Sequence, residues 1–569
     1  MIILNQKSKL ITSNSINDWF VHNFGTITIE QVKSWFIYNP DEKLLFNTGL
    51  FLGLFLVFYF VYAFLRKTFY LRLTYVILFS LFFYYKSSGI YFLLLLLSSV
   101  VDYGLSQIIY REKKDNVKKI YLVISVILNL GLLGYFKYMN FMIVTYNDMF
   151  KGNFELHNIF LPVGISFYTF QSMSYIIEIY REEIKPTKNY IEYLFFVSFF
   201  PQLVAGPIVR AKDFLPQIYQ KLNLTKEDVN NALFLIIGGL IKKTVISNYI
   251  SVNFVDRVFD TPMTYTAFEN LMASYGYAIQ IYCDFSGYSD MAIGIALLLG
   301  FKLPVNFRTP YKSTSITDFW RRWHISLSTW LKDFLYISIG GNRKGSFAGF
   351  LFPSLFFFGL LLWGMSNINT SIIPLIIAIG SILLFCLTFL LSKKKNQTTV
   401  TNFNLFTTML LGGLWHGAGA QFIVWGALHG LALAVHKIFL EFFPSKKEGK
   451  SSGLWTFFSI VITFHFVVFC WIFFRARDFD TALQVINNIG QLTFEPEQWK
   501  VILSGYKNVF LLMLFGYVWH FLPEVITNKM KFVFDKTPLL LKAVILGFVY
   551  WIVYATAVAG SQPFIYFQF

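Results

Sequence analysis

The stretch LLGGLWHGAGAQFIVWGALHG, residues 410–430, decides the reading of this chain. It is apolar and rich in small residues. It is also long enough to cross a bilayer, which takes about 20 apolar residues in a helix. His416 stands in its middle. An ionisable side chain at membrane depth is costly, so it faces a polar cavity or a partner. A second histidine, His324, sits upstream in DFWRRWHISLSTW (318–330). Two histidines set in apolar sequence point to proton-transfer chemistry inside a membrane protein.

Composition agrees with a membrane setting. The chain has 569 residues, 56% hydrophobic and 20% aromatic, with 14% charged, against roughly 25% charged in soluble domains. Its mean hydropathy is +0.54. Apolar runs recur from residue 46 onward, and a dozen or more spans are expected from their length. They lie near 46–65, 71–85, 90–110, 120–146, 159–180, 190–208, 232–252 and 267–300, then 347–364, 371–392, 403–437, 454–474, 504–522 and 540–560. They are continuous rather than alternating, which indicates helices and not a membrane β-barrel. Trp and Tyr at the run ends fit interfacial anchoring.

The net charge is +17. The cations fall in short gaps between apolar runs: Arg111 to Lys119, Arg343 and Lys344, Lys393 to Lys395, and Lys446 to Lys450. Short basic loops are what the positive-inside rule places in the cytoplasm, so no nucleic-acid partner is expected. Cys283, Cys386 and Cys470 are far apart and lie in apolar sequence, which suggests packing rather than a metal site or disulfides. The first 45 residues show no signal peptide.

Residues 302–346 differ from the rest. Lys302, Arg308, Lys312, Asp318, Arg321, Arg322, Lys332 and Asp333 alternate there with Phe319, Trp320, Trp323, Trp330 and Phe334. Such a mixture suits interfacial or re-entrant helices. Irregular polar backbone at depth must be buried in protein or line a cavity, so this region is the expected wall of an active site.

His416 lies among Gly412, Gly413, Gly417 and Gly419, and small residues permit close approach of helices or substrate. A neutral imidazole can take a proton from a hydroxyl and return it. The same residue also reads as a hydrogen-bonded histidine between helices. His429 and His436 read more weakly, as packing or helix-end residues. Arg321 and Arg322 suit phosphates of a cytoplasmic donor, or lipid headgroups. Asp284 and Asp290, in IQIYCDFSGYSDMAIG, read as helix-pinning groups bonded to Ser286 and Ser289 beside helix ends. A proton relay through Asp284 is the competing reading. No soluble-hydrolase triad, P-loop or zinc-protease motif occurs.

Several stretches in order resemble the membrane-bound O-acyltransferase (MBOAT) family, in particular its alginate O-acetyltransferase branch. They are LGLLGYFKYMNF (131–142), LPVGISFYTFQSMSYIIEIYR (161–181), FFPQLVAGPIVR (199–210), IQIYCDFSGYSDMAIGIALLLGFKLPVNFRTPY (279–311), DFWRRWHISLSTWLKDFLYISIGGNRKG (318–345), LLGGLWHGAG (410–419) and WIFFRA (471–476). The resemblance implies an all-α ring of tilted transmembrane helices around a central funnel or tunnel, with re-entrant helices. It implies that His416 and His324 are the active-site histidines and that no cofactor is bound. Acetyl-CoA would be the donor substrate. A periplasmic SGNH-type partner would pass the acetyl group to a polysaccharide, from an enzyme in the bacterial inner membrane.

The related teichoic-acid D-alanylation proteins usually read Asn-Arg-Trp-His where this chain has Arg321-Arg322-Trp323-His324. Transfer of D-alanyl or another acyl group to a cell-wall polymer is therefore the alternative, and a proton-coupled transporter the second alternative. On this reading residues 1–45 are a polar-aromatic extension and 46–569 the membrane domain. Residues 346–402 are longer than the family pattern and read as an inserted transmembrane hairpin. The end, PFIYFQF (563–569), is similar to the C-terminal motif of the small D-alanylation subunit, which makes Tyr566 a candidate acyl carrier or else part of an interfacial aromatic tail.

Overall fold

The computed structural model describes residues 29–366, 373–390, 395–443 and 453–557, and these are helical with short connections and no strand. Helices keep every backbone hydrogen bond inside the segment, which lipid demands. Among the described residues, six helical runs are long and apolar enough to cross a membrane, or up to eight if each of two bent pairs, Pro496–Gly505 with Lys507–Phe521 and Glu524–Lys536 with Leu539–Val553, is one span. This is fewer than the dozen or more expected from apolar runs. Two runs, α2 (Phe69–Ser88) and α3 (Phe92–Arg111), count as one stretch there but fold back at Gly89, so that Tyr70 of α2 and Tyr103 of α3 both bond residues 188–189. Others become helices too short to span: the run at 159–180 yields α5 (Ile165–Tyr180), 16 residues, or about 24 Å at 1.5 Å per residue.

The centre of the fold is α7 (Ala267–Leu298). Of its 32 residues, 25 are buried, so it has no lipid or solvent face and behaves as a core helix. It packs along α6 (Lys226–Leu240) and the π-helical turns that follow, Ile241–Ser247 and Ser251–Val255. The contact is backbone on backbone. A Cβ on Gly239 would meet the Gly287 carbonyl oxygen at 2.5 Å, and one on Gly287 would meet that of Gly239 at 2.7 Å. Only small residues allow this approach.

The close crossing sets two ion pairs, the first buried and the second partly exposed. Lys243 Nζ meets Asp284 Oδ1, and Lys242 Nζ meets Asp290 Oδ2 at 2.7 Å. Both carboxylates lie inside a continuous helix rather than at helix ends, and their partners are lysines rather than Ser286 and Ser289. The expectation of helix-pinning holds, but its agents differ. Ser289 instead receives a bond from Asn306.

One end of the molecule collects charge. Lys118 pairs with Glu182 at 3.0 Å, Lys212 with Glu183 at 3.3 Å, and Arg210 with Asp333. The expected insertion contains α10 (Phe347–Ser366) and α11 (Ile373–Leu390). Phe356, Phe357 and Phe385 pack there against Phe406. The described part of the N-terminal extension is docked: Lys86 donates to the Ser34 and Ile37 carbonyls at the end of the helix Ile29–Phe36. Cys283 and Cys470 are buried, whereas Cys386 is exposed on the apolar α11, so packing accounts for only two of the three.

Removing one member of a buried pair leaves the other charge uncompensated, which costs about 3–5 kcal/mol, whereas an apolar replacement of both costs far less. Asp284→Asn is expected to lower stability by about that amount, and the double change Lys243→Met with Asp284→Leu by less. Denaturant unfolding of the detergent-solubilised protein measures both.

Candidate active site

The site is built where α12 (Lys395–His416) turns into α13 (Ala420–Phe442). Their backbones touch: a Cβ on Gly413 would meet the Phe422 carbonyl oxygen at 2.2 Å, and one on Gly426 that of Met409 at 2.3 Å. The small residues flanking His416 therefore serve close helix packing, as the sequence suggested. His416 is the last residue of α12, 2% exposed, with Trp425 at 4.9 Å and Phe474 at 5.1 Å between ring centroids.

A helix that ends inside an apolar core leaves its last carbonyls without partners. Lys137 supplies them. Its ammonium donates to the Trp415 carbonyl at 2.6 Å and to the His416 carbonyl at 2.9 Å, and the Tyr138 hydroxyl donates to Leu414 at 2.6 Å. Both residues sit in the π-helical turn Gly134–Tyr138 after α4 (Asp115–Leu133). A cation at a helix C-terminus also complements the helix dipole.

His324 is fully buried and has φ +42° and ψ +55°. A non-glycine residue in this left-handed region is strained, and such strain persists only where the surroundings hold it. Here Asn306 holds it. Its carbonyl accepts from Ile325 N–H at 3.0 Å, and its Oδ1 accepts from Ser326 N–H at 3.2 Å and from the Ser326 hydroxyl at 3.0 Å. Its amide donates to Ser289 of α7 at 3.3 Å. The backbone of Arg308 bonds that of Arg322 at 2.9 Å. His324 thus sits at the joint between two short helices, α8 (Ile316–Arg322) and α9 (Ile325–Trp330), in the irregular region expected to wall the site.

The fold brings the two histidines together, with ring centroids 6.4 Å apart and planes at 53°. A group lying between them can come within hydrogen-bond reach of both rings. Phe285 stands edge-on to His324 at 4.6 Å, and Trp415 lies 6.0 Å away. A cleft lined by Lys43, Lys137, Gly164, Phe167 and Trp415 reaches the residue before His416, though neither histidine lines it. Phe167 links it to His324, at 6.4 Å.

The other expected residues divide. Arg322 is engaged by Asp318, its Nε donating to both carboxylate oxygens at 3.0 Å, and Arg321 is exposed. His429 is packed among Phe319, Trp320, Trp425 and Phe466. The Nδ1 of His436 bonds Thr317 at 2.8 Å. Tyr566 lies outside the described residues.

The model of the membrane-bound O-acyltransferase family matches residues 180–367, which hold His324 and its clamp. The chain is 34% identical over 477 residues to the peptidoglycan O-acetyltransferase of Helicobacter pylori, covering 78% of this chain and 80% of that protein. The chain belongs to the membrane-bound O-acyltransferase family. It is a multi-pass membrane acyltransferase. It is also 37% identical over 387 residues to the probable alginate O-acetylase AlgI of Pseudomonas aeruginosa, covering 67% of this chain and 61% of that one. To the teichoic acid D-alanyltransferase of Bacillus subtilis it is 29% identical over 332 residues, covering 57% and 71%. The match spans less than two thirds of the length of the alginate relatives.

Lys137 and Asn306 were not singled out from sequence as site residues. The only signal was their place inside matched stretches, a lysine within an apolar run and an asparagine after Pro304. Asn306→Ala leaves the Ser326 N–H unsatisfied, and such losses cost about 1–3 kcal/mol each. The variant is expected to fold with reduced stability and to lose transferase activity by tenfold or more. Asn306→Asp, which keeps the acceptor oxygen, should recover part of both, as thermal unfolding and an acyl-transfer assay would read.

Proposed function

We propose that this acyltransferase is an inner-membrane O-acetyltransferase that takes acetyl from cytoplasmic acetyl-CoA for O-acetylation of an extracytoplasmic polysaccharide, through a periplasmic SGNH-type partner. The observation that carries the reading is the buried pair His416 and His324, with ring centroids 6.4 Å apart, in a chain 34% identical to a peptidoglycan O-acetyltransferase. We assign the charged end with Lys118, Arg181, Arg210 and Lys212 to the cytoplasmic side, following the positive-inside rule. Val163 and Gly164, which line the cleft, sit at the other end of α5 from Arg181 and beside Ser88 at the far end of α2. Donor and acceptor then approach the histidines from opposite faces.

In the proposed step His416 removes the proton of an attacking hydroxyl while its oxygen bonds the thioester carbonyl carbon. His324 donates a hydrogen bond to the oxyanion that develops. Collapse breaks the carbon–sulfur bond, and the proton held by His416 passes to the departing thiolate. The product is an O-acetyl ester and free CoA. The Lys137 cap fixes the end of α12 and with it the imidazole. Tyr566 is the proposed first acceptor hydroxyl, and Arg321 the exposed cation for donor phosphates.

The D-alanyl reading is favoured by one observation, the teichoic acid D-alanyltransferase relatives at 29% and 26% identity. The transporter reading needs Asp284 in a proton relay, and Asp284 is instead paired with Lys243.

Removal of a general base costs about 10²–10⁴-fold in rate. His416→Ala, inserted in the membrane at normal levels, is expected to lose polysaccharide acetylation by that factor, and unchanged acetylation would sink the assignment. Labelled acetyl-CoA and a D-alanyl carrier protein, offered separately, decide the acyl group. Without the partner, mass spectrometry is expected to find acetyl on the C-terminal peptide, and on none of it in Tyr566→Phe.

A further inference from the structure

A cleft of about 660 Å³ lies at the turn between α1 (Gly49–Leu65) and α2, closed on its other side by residues 218–224. Four cations line it: Arg66, Lys67, Arg72 and Lys221. No carboxylate does, and none of the four forms an ion pair among the described residues. The neighbouring Glu192 is occupied by the Tyr219 hydroxyl at 2.6 Å. Like charges gathered around one cavity repel, and an anion between them removes the repulsion.

Arg72 gives the cleft a built wall. It is 4% exposed, and its guanidinium is held by the Ile218 carbonyl at 2.7 Å and the Arg66 carbonyl at 3.4 Å. Its Nε has no hydrogen-bond partner among the described residues. The cleft also sits at the start of α2, where Thr68 provides no side-chain cap. A long helix offers its first N–H groups and positive dipole end to an anion.

We propose that this cleft is a phosphate-binding site, filled by the headgroup of an anionic phospholipid. The surroundings select a lipid source: Phe64 and Leu71, flanking the turn, are 71% and 57% exposed on apolar helices, which places acyl chains next to the cations. The turn lies at the same end as the charged layer, because Tyr70 accepts from Asn189 close after Glu183. By the positive-inside rule that is the anionic cytoplasmic leaflet. The site is separate from the histidine pair and does not depend on which acyl group is transferred.

Native mass spectrometry of the full detergent-solubilised chain tests it, with phosphatidylglycerol, phosphatidylcholine and adenosine 3′,5′-bisphosphate as probes. The variant is Lys67→Gln with Lys221→Gln, both exposed, so that the fold is kept. Wild type is expected to retain phosphatidylglycerol over phosphatidylcholine, and the variant to lose that binding by tenfold or more, since each basic residue near an anionic surface contributes about a factor of five. Displacement of the lipid by the bisphosphate in wild type alone keeps the phosphate site and assigns it to a soluble phosphorylated donor. Equal retention of the two lipids, or equal binding by variant and wild type, overturns the proposal.

Discussion

The hydrogen bonds from Lys137 to the Trp415 and His416 carbonyls are the contact on which the site depends. α12 stops inside the fold, which puts His416 at its end opposite His324, and a helix that stops there leaves its last carbonyls without intrahelical partners. An ammonium group answers both the hydrogen bonds and the dipole. The π-helical turn that carries Lys137 and Tyr138 brings both residues to the same helix end, so the histidine is fixed through its own backbone.

The same device recurs. Lys86 donates to the carbonyls at the end of the helix Ile29–Phe36, and Lys312 to Leu522 at 2.7 Å, just past the helix Lys507–Phe521. Lys242 and Lys243 neutralise the carboxylates of α7. Lysine in this chain, buried at Lys86 and Lys243 and half-buried at Lys137, Lys242 and Lys312, joins helices that end or cross inside the fold. Glycine does the complementary work, at Gly239 and Gly287 and at Gly413 and Gly426, by letting backbones touch. Together they replace the hydrophobic drive that lipid does not supply between helices.

Much of this was legible in the sequence. Apolar runs gave the helices, the small residues around His416 gave close packing, and the mixed aromatic and basic stretch containing His324 gave an irregular site wall. The partners of polar groups were not legible. Asp284 and Asp290 read naturally against nearby serines, because local bonds are the ones sequence spacing suggests. Their lysines lie 41 and 48 residues away, on a π-helical turn with no pattern in the residues. The left-handed turn at His324 was hidden for a similar reason: it depends on Asn306, which reaches it only through the folded backbone.

In the proposed reaction the histidine pair lies between a donor face and an acceptor face. Sided proteoliposomes test this most directly, with labelled acetyl-CoA supplied to one face and the partner with its polysaccharide to the other. Label should reach the polysaccharide only when acetyl-CoA is given at the face bearing Lys118, Arg181 and Arg210. Equal labelling from either face, or labelling only when donor and partner share a face, would contradict the account.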